Sequence, residues 1–207
     1  MTELRDPFPN SATLESIAHR HSVRLFTDMP VPDAHITAIL RAANQAPSAH
    51  NAQSWRFVVV RGEKKKDLAH LVTSRAAGFP RPASTLLRMA ARSIISAPVV
   101  IAVANTGELI RRGADLFGVG EDAARDFFRT MEIQNSAAAV ENLLVAATSL
   151  GLATVWLGVL FLIKGDVLAL LGEAGGEFMA VVPVGFAAHT TTGPRKAPLE
   201  SVVRFLE

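Results

Sequence analysis

The chain has no cysteine in its 207 residues. That excludes disulfides, thiolate metal sites and a cysteine nucleophile, and it fits a reducing compartment. Neither sign of charge dominates: 21 basic residues face 19 acidic ones, a formal net of +2. The lysine run at 64–66 stands alone and has no aromatics interleaved, so nothing points to a nucleic-acid groove. Several common signatures are also missing. No GxGxxG opens a helix after a strand, and GxxxxGK[ST], HExxH and GxSxG do not occur. The six histidines (19, 21, 35, 50, 70 and 189) have no metal-ligand spacing. His35 and His70 read as exposed helix positions. The opening "MTELRDPFPNSA" lacks the apolar core of a secretory signal, so the expected location is the cytoplasm.

Apolar residues are plentiful, at 49% of the chain. That is enough for one domain, 1–207, with a large core. One long uncharged stretch, residues 143–163, has about the length of a membrane span. Gly151 and Gly158 divide it, however, and no aromatic belt flanks it. We therefore read it as the end of a buried helix followed by a strand at 153–157, and expect no membrane association.

Periodicity predicts helices over 11–19 (Ser11 as cap), 31–46, 63–77, 85–96, roughly 124–150 and 165–172. It predicts buried strands in "SWRFVVVRG", "APVVIAVAN" and "EFMAVVPVGFA". Residues 106–130, with Gly113, Gly118 and Gly120 among them, read as a mobile excursion or lid. The tail, 188–207, reads as loop and then extended chain. Helices and strands mix without strict alternation, which favours an α+β sandwich with a mostly antiparallel or mixed sheet. The helix at 124–150 is apolar almost all round, so a partner subunit is expected to cover one side: a homodimer.

Four short stretches could carry chemistry. "RHSVR" sets Arg20, His21, Ser22 and Arg24 just past a helix end. Guanidiniums and a hydroxyl there suit an anionic oxygen cluster, or equally a solvated basic turn. "PSAHNAQSW" offers Ser48, His50, Asn51 and Gln53, able to read the edge of a flat heterocycle or simply to cap a helix-to-strand loop. "GLATVWLG" ends on Gly158, where a backbone N–H can approach a ligand closely, or where the chain merely turns. "PRK" (194–196) is a second anion clamp or a basic tail.

In this order the four stretches resemble the nitroreductase family of FMN-dependent oxidoreductases, from about residue 14 to residue 203. "RHSVRLF" is similar to the family's R-[RH]-S-x-[RK]-x-F, and "APSAHNAQSWRF" to its A-P-S-x-x-N-x-Q-P-W-x-F. "NLLVAATSLGLATVWLG" resembles its dimer helix and flavin-facing strand, and "VPVGFA" with "PRKAPLESVV" its C-terminal end. The resemblance implies an entwined homodimer, a three-layer sandwich with an FMN at each of two subunit-interface sites. Arg20 and Ser22 would hold the phosphate and ribityl chain, and His21 and Val23 would line that strip, mainly through backbone. Arg24 would stand near the pyrimidine end of the flavin. Pro47, Ser48, Ala49 and Asn51 would reach a flavin bound mainly by the partner. Leu157 and Gly158 would lie near the central ring with a backbone N–H toward N5, and Arg195, with Lys196, would close on the phosphate. The implied activity is ping-pong hydride transfer from NADH or NADPH to a nitroaromatic, quinone or similar small acceptor, with no dedicated catalytic side chain. Alternatives within the fold are dehalogenation, flavin breakdown or heterocycle oxidation, and outside enzymes a non-catalytic flavin-binding module. Two departures stand out. Ser54 replaces the family's usual proline, and "AAGFPRPAS" offers no counterpart to a flavin-contacting asparagine common in the family. Phe117, Phe127 and Phe128 are candidates for pocket lining or core.

Overall fold

The computed structural model describes residues 11–118, 120–190 and 192–206, the side chains of 114–117 and 121 excepted. At its centre runs β2 (Val99–Asn105), "VVIAVAN", buried at every position. Strand side chains alternate between two faces. Val100, Ala102 and Ala104 enter one core, with α3 (Gly62–Ala76) and α4 (Arg81–Ser96). Val99, Ile101 and Val103 enter the other, with α2 (Asp33–Asn44) and α6 (Glu121–Ser149). Helices thus cover both faces of the sheet, the expected three-layer α+β sandwich.

β2 lies between β1 (Trp55–Val60) and β4 (Glu177–Gly185), and β3 (Ala153–Thr154) pairs with the far end of β4. All three strand pairs are antiparallel. A bulge interrupts β2–β4: Val103 faces Ala180, but Ala104 faces Phe178. The extra residue puts both Met179 and Ala180 against the α2–α6 core and leaves Phe178 on the other side.

Local chemistry explains most element ends. The Ser11 hydroxyl accepts from the Leu14 amide and starts α1 (Ala12–His19). α4 begins four residues before the expected start, because Pro82 sits in its first turn, where a fixed φ and a missing N–H cost nothing. β3 is shorter than the expected 153–157. After Thr154 the chain turns along the sheet, Leu157 N–H donates to Val181 O at 2.9 Å, and the 3-10 turn Gly158–Ile163 leads into α7 (Lys164–Leu171). No described helix is long and apolar enough to cross a membrane. Of the described tail, only Leu199–Ser201 forms a regular turn, and Leu199, Val202, Phe205 and Leu206 project into solvent.

Among the described residues, the segment 106–130 is mostly helical rather than irregular. It forms α5 (Glu108–Phe117) and the first turns of α6, packed side by side. Its mid-helix glycine has a purpose. A Cβ on Gly113 would stand 2.2 Å from the Phe128 ring, and that ring is buried. Phe128 is therefore core, Phe127 is half exposed, and the Phe117 side chain lies outside the described residues. His70 is exposed as expected, but His35 is partly buried.

Replacing Gly113 by Ala should cost about 1–3 kcal/mol through overpacking. Phe128→Ala alone should cost about 3–5 kcal/mol, and less in the Gly113→Ala background, because the two groups claim one space. Urea denaturation of the two single variants and the double variant checks this; strictly additive losses would contradict the contact.

Candidate functional site

The residues after α1 form an extra edge on the sheet. Ser22 bridges Thr154 in parallel, and Phe26 bridges Ala187 antiparallel. The Val23 and Thr27 amides donate to Thr154 O and Phe186 O, and Ala188 N–H donates to Leu25 O, at 2.9–3.0 Å. The strip is thus fixed by backbone, and its side chains fall on two hollows. His21 and Val23 share one of about 270 Å³ with His19, Gly151 and His189. Arg24 shares another of about 150 Å³ with Met89, Ser93, Leu157 and Gly158. The Ser93 hydroxyl donates to Arg24 O at 3.0 Å, tying the strip to α4.

This brings Arg24, Leu157 and Gly158 together around one hollow. Gly193 lies against His21, so closely that a Cβ there would come within 2.9 Å of the His21 Cβ. That contact sets the residue before "PRK" against the strip. Arg20 makes an ion pair with Glu141 on α6 at 3.4 Å. Two amides named in advance are already engaged: Val23 N–H with Thr154 and Leu157 N–H with Val181. Gly158, by contrast, is the first residue of its 3-10 turn, a position in which a helical N–H lacks an internal partner. Its backbone needs no positive φ, and a Cβ there would meet nothing within 4 Å.

The loop between α2 and β1 is tightly wound. His50, Asn51 and Gln53 all have positive φ (52°, 51° and 46°), a conformation costly for residues with a Cβ. Its bonds hold it there. Gln53 N–H donates to the Ser48 hydroxyl at 3.1 Å, Gln53 Nε2 to Asn51 Oδ1 at 3.0 Å, and Ala49 N–H to Asn135 Oδ1 of α6 at 3.0 Å. Trp55 is core, as expected, and its Nε1 donates to Asn44 Oδ1 at 3.0 Å.

Beneath the loop lies a buried polar cluster that sequence reasoning missed: Ser54, Asn105, Glu132, Asn135 and Ser136. Ser136 donates to Asn105 Oδ1. Glu132 Oε1 accepts from the Leu109 amide at 2.8 Å, so a carboxyl from α6 caps the start of α5. Burial pushes this carboxyl above the usual carboxylate range, against the opposing pull of the Leu109 and Ile110 amides and the Ser54 hydroxyl. A signal was present: positions 132, 135 and 136 follow the i, i+3, i+4 rule and continue the stripe of Ala139, Val140 and Leu143. Ser54, where the family usually has proline, belongs to this cluster.

Strip and loop do not meet within one chain. Trp55 faces Asn105, which faces Glu177 at the start of β4; Thr154 faces Val184 near its end. Seven residues of strand separate the two, roughly 23 Å.

A model of the nitroreductase family matches residues 17–186. A provisionally named NADH dehydrogenase/NAD(P)H nitroreductase of Archaeoglobus fulgidus is 31% identical over 147 residues, which are 70% of this chain and 67% of that protein. A protein of the same name from Methanothermobacter thermautotrophicus is 30% identical over 146 residues, 70% of this chain and 60% of its own. The alignments thus span about two thirds of these archaeal relatives. Among solved structures, a provisionally named nitroreductase in complex with FMN from Desulfovibrio desulfuricans superposes with a TM-score of 0.72 at 27% identity, covering 96% of this chain and 99% of that one.

The Glu132 carboxyl generates a pH prediction. With its folded pKa raised, the folded chain keeps a proton where the unfolded chain has lost it, so stability falls as pH rises from the ordinary carboxylate range toward the folded value. Glu132→Gln retains an acceptor for Leu109 without that penalty. Its melting temperature should match the parent near pH 4 and exceed it by a few degrees near pH 8. Parallel melting curves across that range would show that the carboxyl bears no such shift.

Proposed function

The chain belongs to the nitroreductase family, and we propose on that premise that it is an FMN-dependent NAD(P)H oxidoreductase acting by a ping-pong cycle on a small nitroaromatic, quinone or related acceptor. The chemistry supplied by FMN when bound is hydride uptake from NADH or NADPH and delivery of the electrons to the acceptor. The chain's own residues bind, orient and tune. The observation that carries the reading is Gly158. Among the described residues nothing demands glycine there, yet it shares a hollow with Arg24 and opens its 3-10 turn, where an N–H has no partner within the turn. A flat ring laid against that backbone would supply the missing reason.

On this reading Arg20, Ser22 and Arg195 hold the phosphate end. His21 and Val23 line the strip, Val23 without its N–H. Arg24 stands where a cation favours an anionic reduced ring. Leu157 supports the ring by packing, while the Gly158 amide faces it. Pro47, Ser48, Ala49 and Asn51 cannot reach that flavin from the same chain, being at the other end of β4. A second copy supplies them, which makes the functional unit a homodimer. Its interface has a natural seat: Val145 and Ala146 of α6 are only partly buried and line an apolar groove with Ile17.

Flavin absorbance bands in the purified protein should bleach on anaerobic addition of NADH or NADPH. Bands that persist would retain the site and exclude the NAD(P)H reductase activity; absence of bands after adding FMN would remove the cofactor reading itself. Arg20→Ala should weaken FMN binding about tenfold or more, the worth of a charged hydrogen bond to phosphate. Glu141→Gln, which releases Arg20 from its ion pair, should not weaken it. Fluorescence titration of the flavin-free protein measures both. Equal losses in the two variants would mean that Glu141 holds Arg20 in its binding pose.

A further inference from the structure

We propose that the cleft bounded by α5, α6 and the turn between α7 and β4 is a second ligand site, for a phosphate-bearing small molecule, distinct from the strip at residues 20–24. The cleft encloses about 680 Å³, against about 270 and 150 Å³ for the two hollows at the strip. Four cations line it: Arg111 from α5, Arg125 and Arg129 from α6, and Lys164 from the start of α7. They arrive from three different helices, so they are not a single solvated face.

Their charge is only partly compensated. Arg129 Nε donates to Glu177 Oε1 at 2.7 Å, and Arg111 pairs with Glu108 at 3.1 Å. Arg125 and Lys164 have no carboxylate partner among the described residues. Lys164 instead stands 4.1 Å from the centre of the Phe161 ring. Arg125 and Arg129 are four apart on one helix, a like-charge spacing that destabilises a helix unless an anion lies between. A cleft with surplus cations and two guanidinium forks suits phosphate, which accepts several charge-assisted bonds at once.

The wall of the cleft offers a further observation. Glu132 lines it and is wholly buried; its Oε1 takes the Leu109 amide, while Oε2 makes no hydrogen bond of ordinary geometry among the described residues, the nearby Ser54 hydroxyl included. Burial pushes that carboxyl above the usual carboxylate range, which disfavours an opposing negative charge at the wall. At the rim a Cβ on Gly175 would meet nothing within 4 Å, so bare backbone is open to close approach by an oxyanion. Phe178, Leu168 and Ile110 give an apolar surface for the body of the ligand.

Isothermal titration of the FMN-loaded protein with inorganic pyrophosphate tests the site. Saturable binding is expected. The Arg125→Ala/Lys164→Ala double variant should weaken it about tenfold or more, with the flavin spectrum unchanged, because both side chains are exposed and neither lines the hollows at the strip. Arg20→Ala should leave pyrophosphate binding intact. Competition by NADP+ would identify the phosphates of a dinucleotide as the natural source. Binding that NADP+ leaves untouched would identify a free phosphorylated metabolite, and either outcome supports the site. No saturable heat up to about 5 mM, or binding lost in Arg20→Ala but kept in the double variant, would overturn it. Because the strip is read separately through the flavin spectrum, failure of this site and failure of the FMN reading are distinguishable.

Discussion

The pairing of β2 with β4 is the interaction on which the rest of the molecule depends. Both strands are buried on both faces, so each supplies alternate side chains to two cores at once. Their register also sets what lies at either end of the sheet. One end receives Asn105, Glu177 and the loop before Trp55; the other receives Thr154, Gly185 and the strip that follows α1. A shift of one residue would exchange the faces of every side chain on the strand. It would displace the Leu157–Val181 bond that aims Gly158 as well.

α6 performs two jobs with one face. Its C-terminal half buries Ala139, Val140, Leu143 and Leu144 against the sheet. Its N-terminal half turns the same face polar, with Glu132, Asn135 and Ser136. Those groups reach three different segments: the start of α5, the wound loop and the end of β2. A buried polar group left unbonded is costly, so each of these contacts constrains the segment it meets. The loop's three left-handed residues are held in place partly by this helix.

The order of helices and strands was legible, because periods of two and 3.6 are local properties of the chain. Core β2 read clearly from "VVIAVAN", and the Ser11 cap from its place before a periodic run. The four motifs also pointed to the right family. Elsewhere local reading fell short. Glycines at 113, 118 and 120 suggested irregular chain, whereas Gly113 serves a ring fifteen residues away in sequence. The engaged amides of Val23 and Leu157 could not be foreseen, since their partners, Thr154 and Val181, are distant in the chain.

By itself the sequence determined the α+β class, the family and the residue types available for binding, since these follow from pattern and composition. Only the tertiary structure decided which amides are free, that Arg20 faces Glu141, and that four cations share a cleft. It alone placed the strip and the loop at opposite ends of β4. The physical reason is that hydrogen bonding and charge compensation are settled between groups brought together by folding, and a group's availability depends on neighbours that lie far away along the chain.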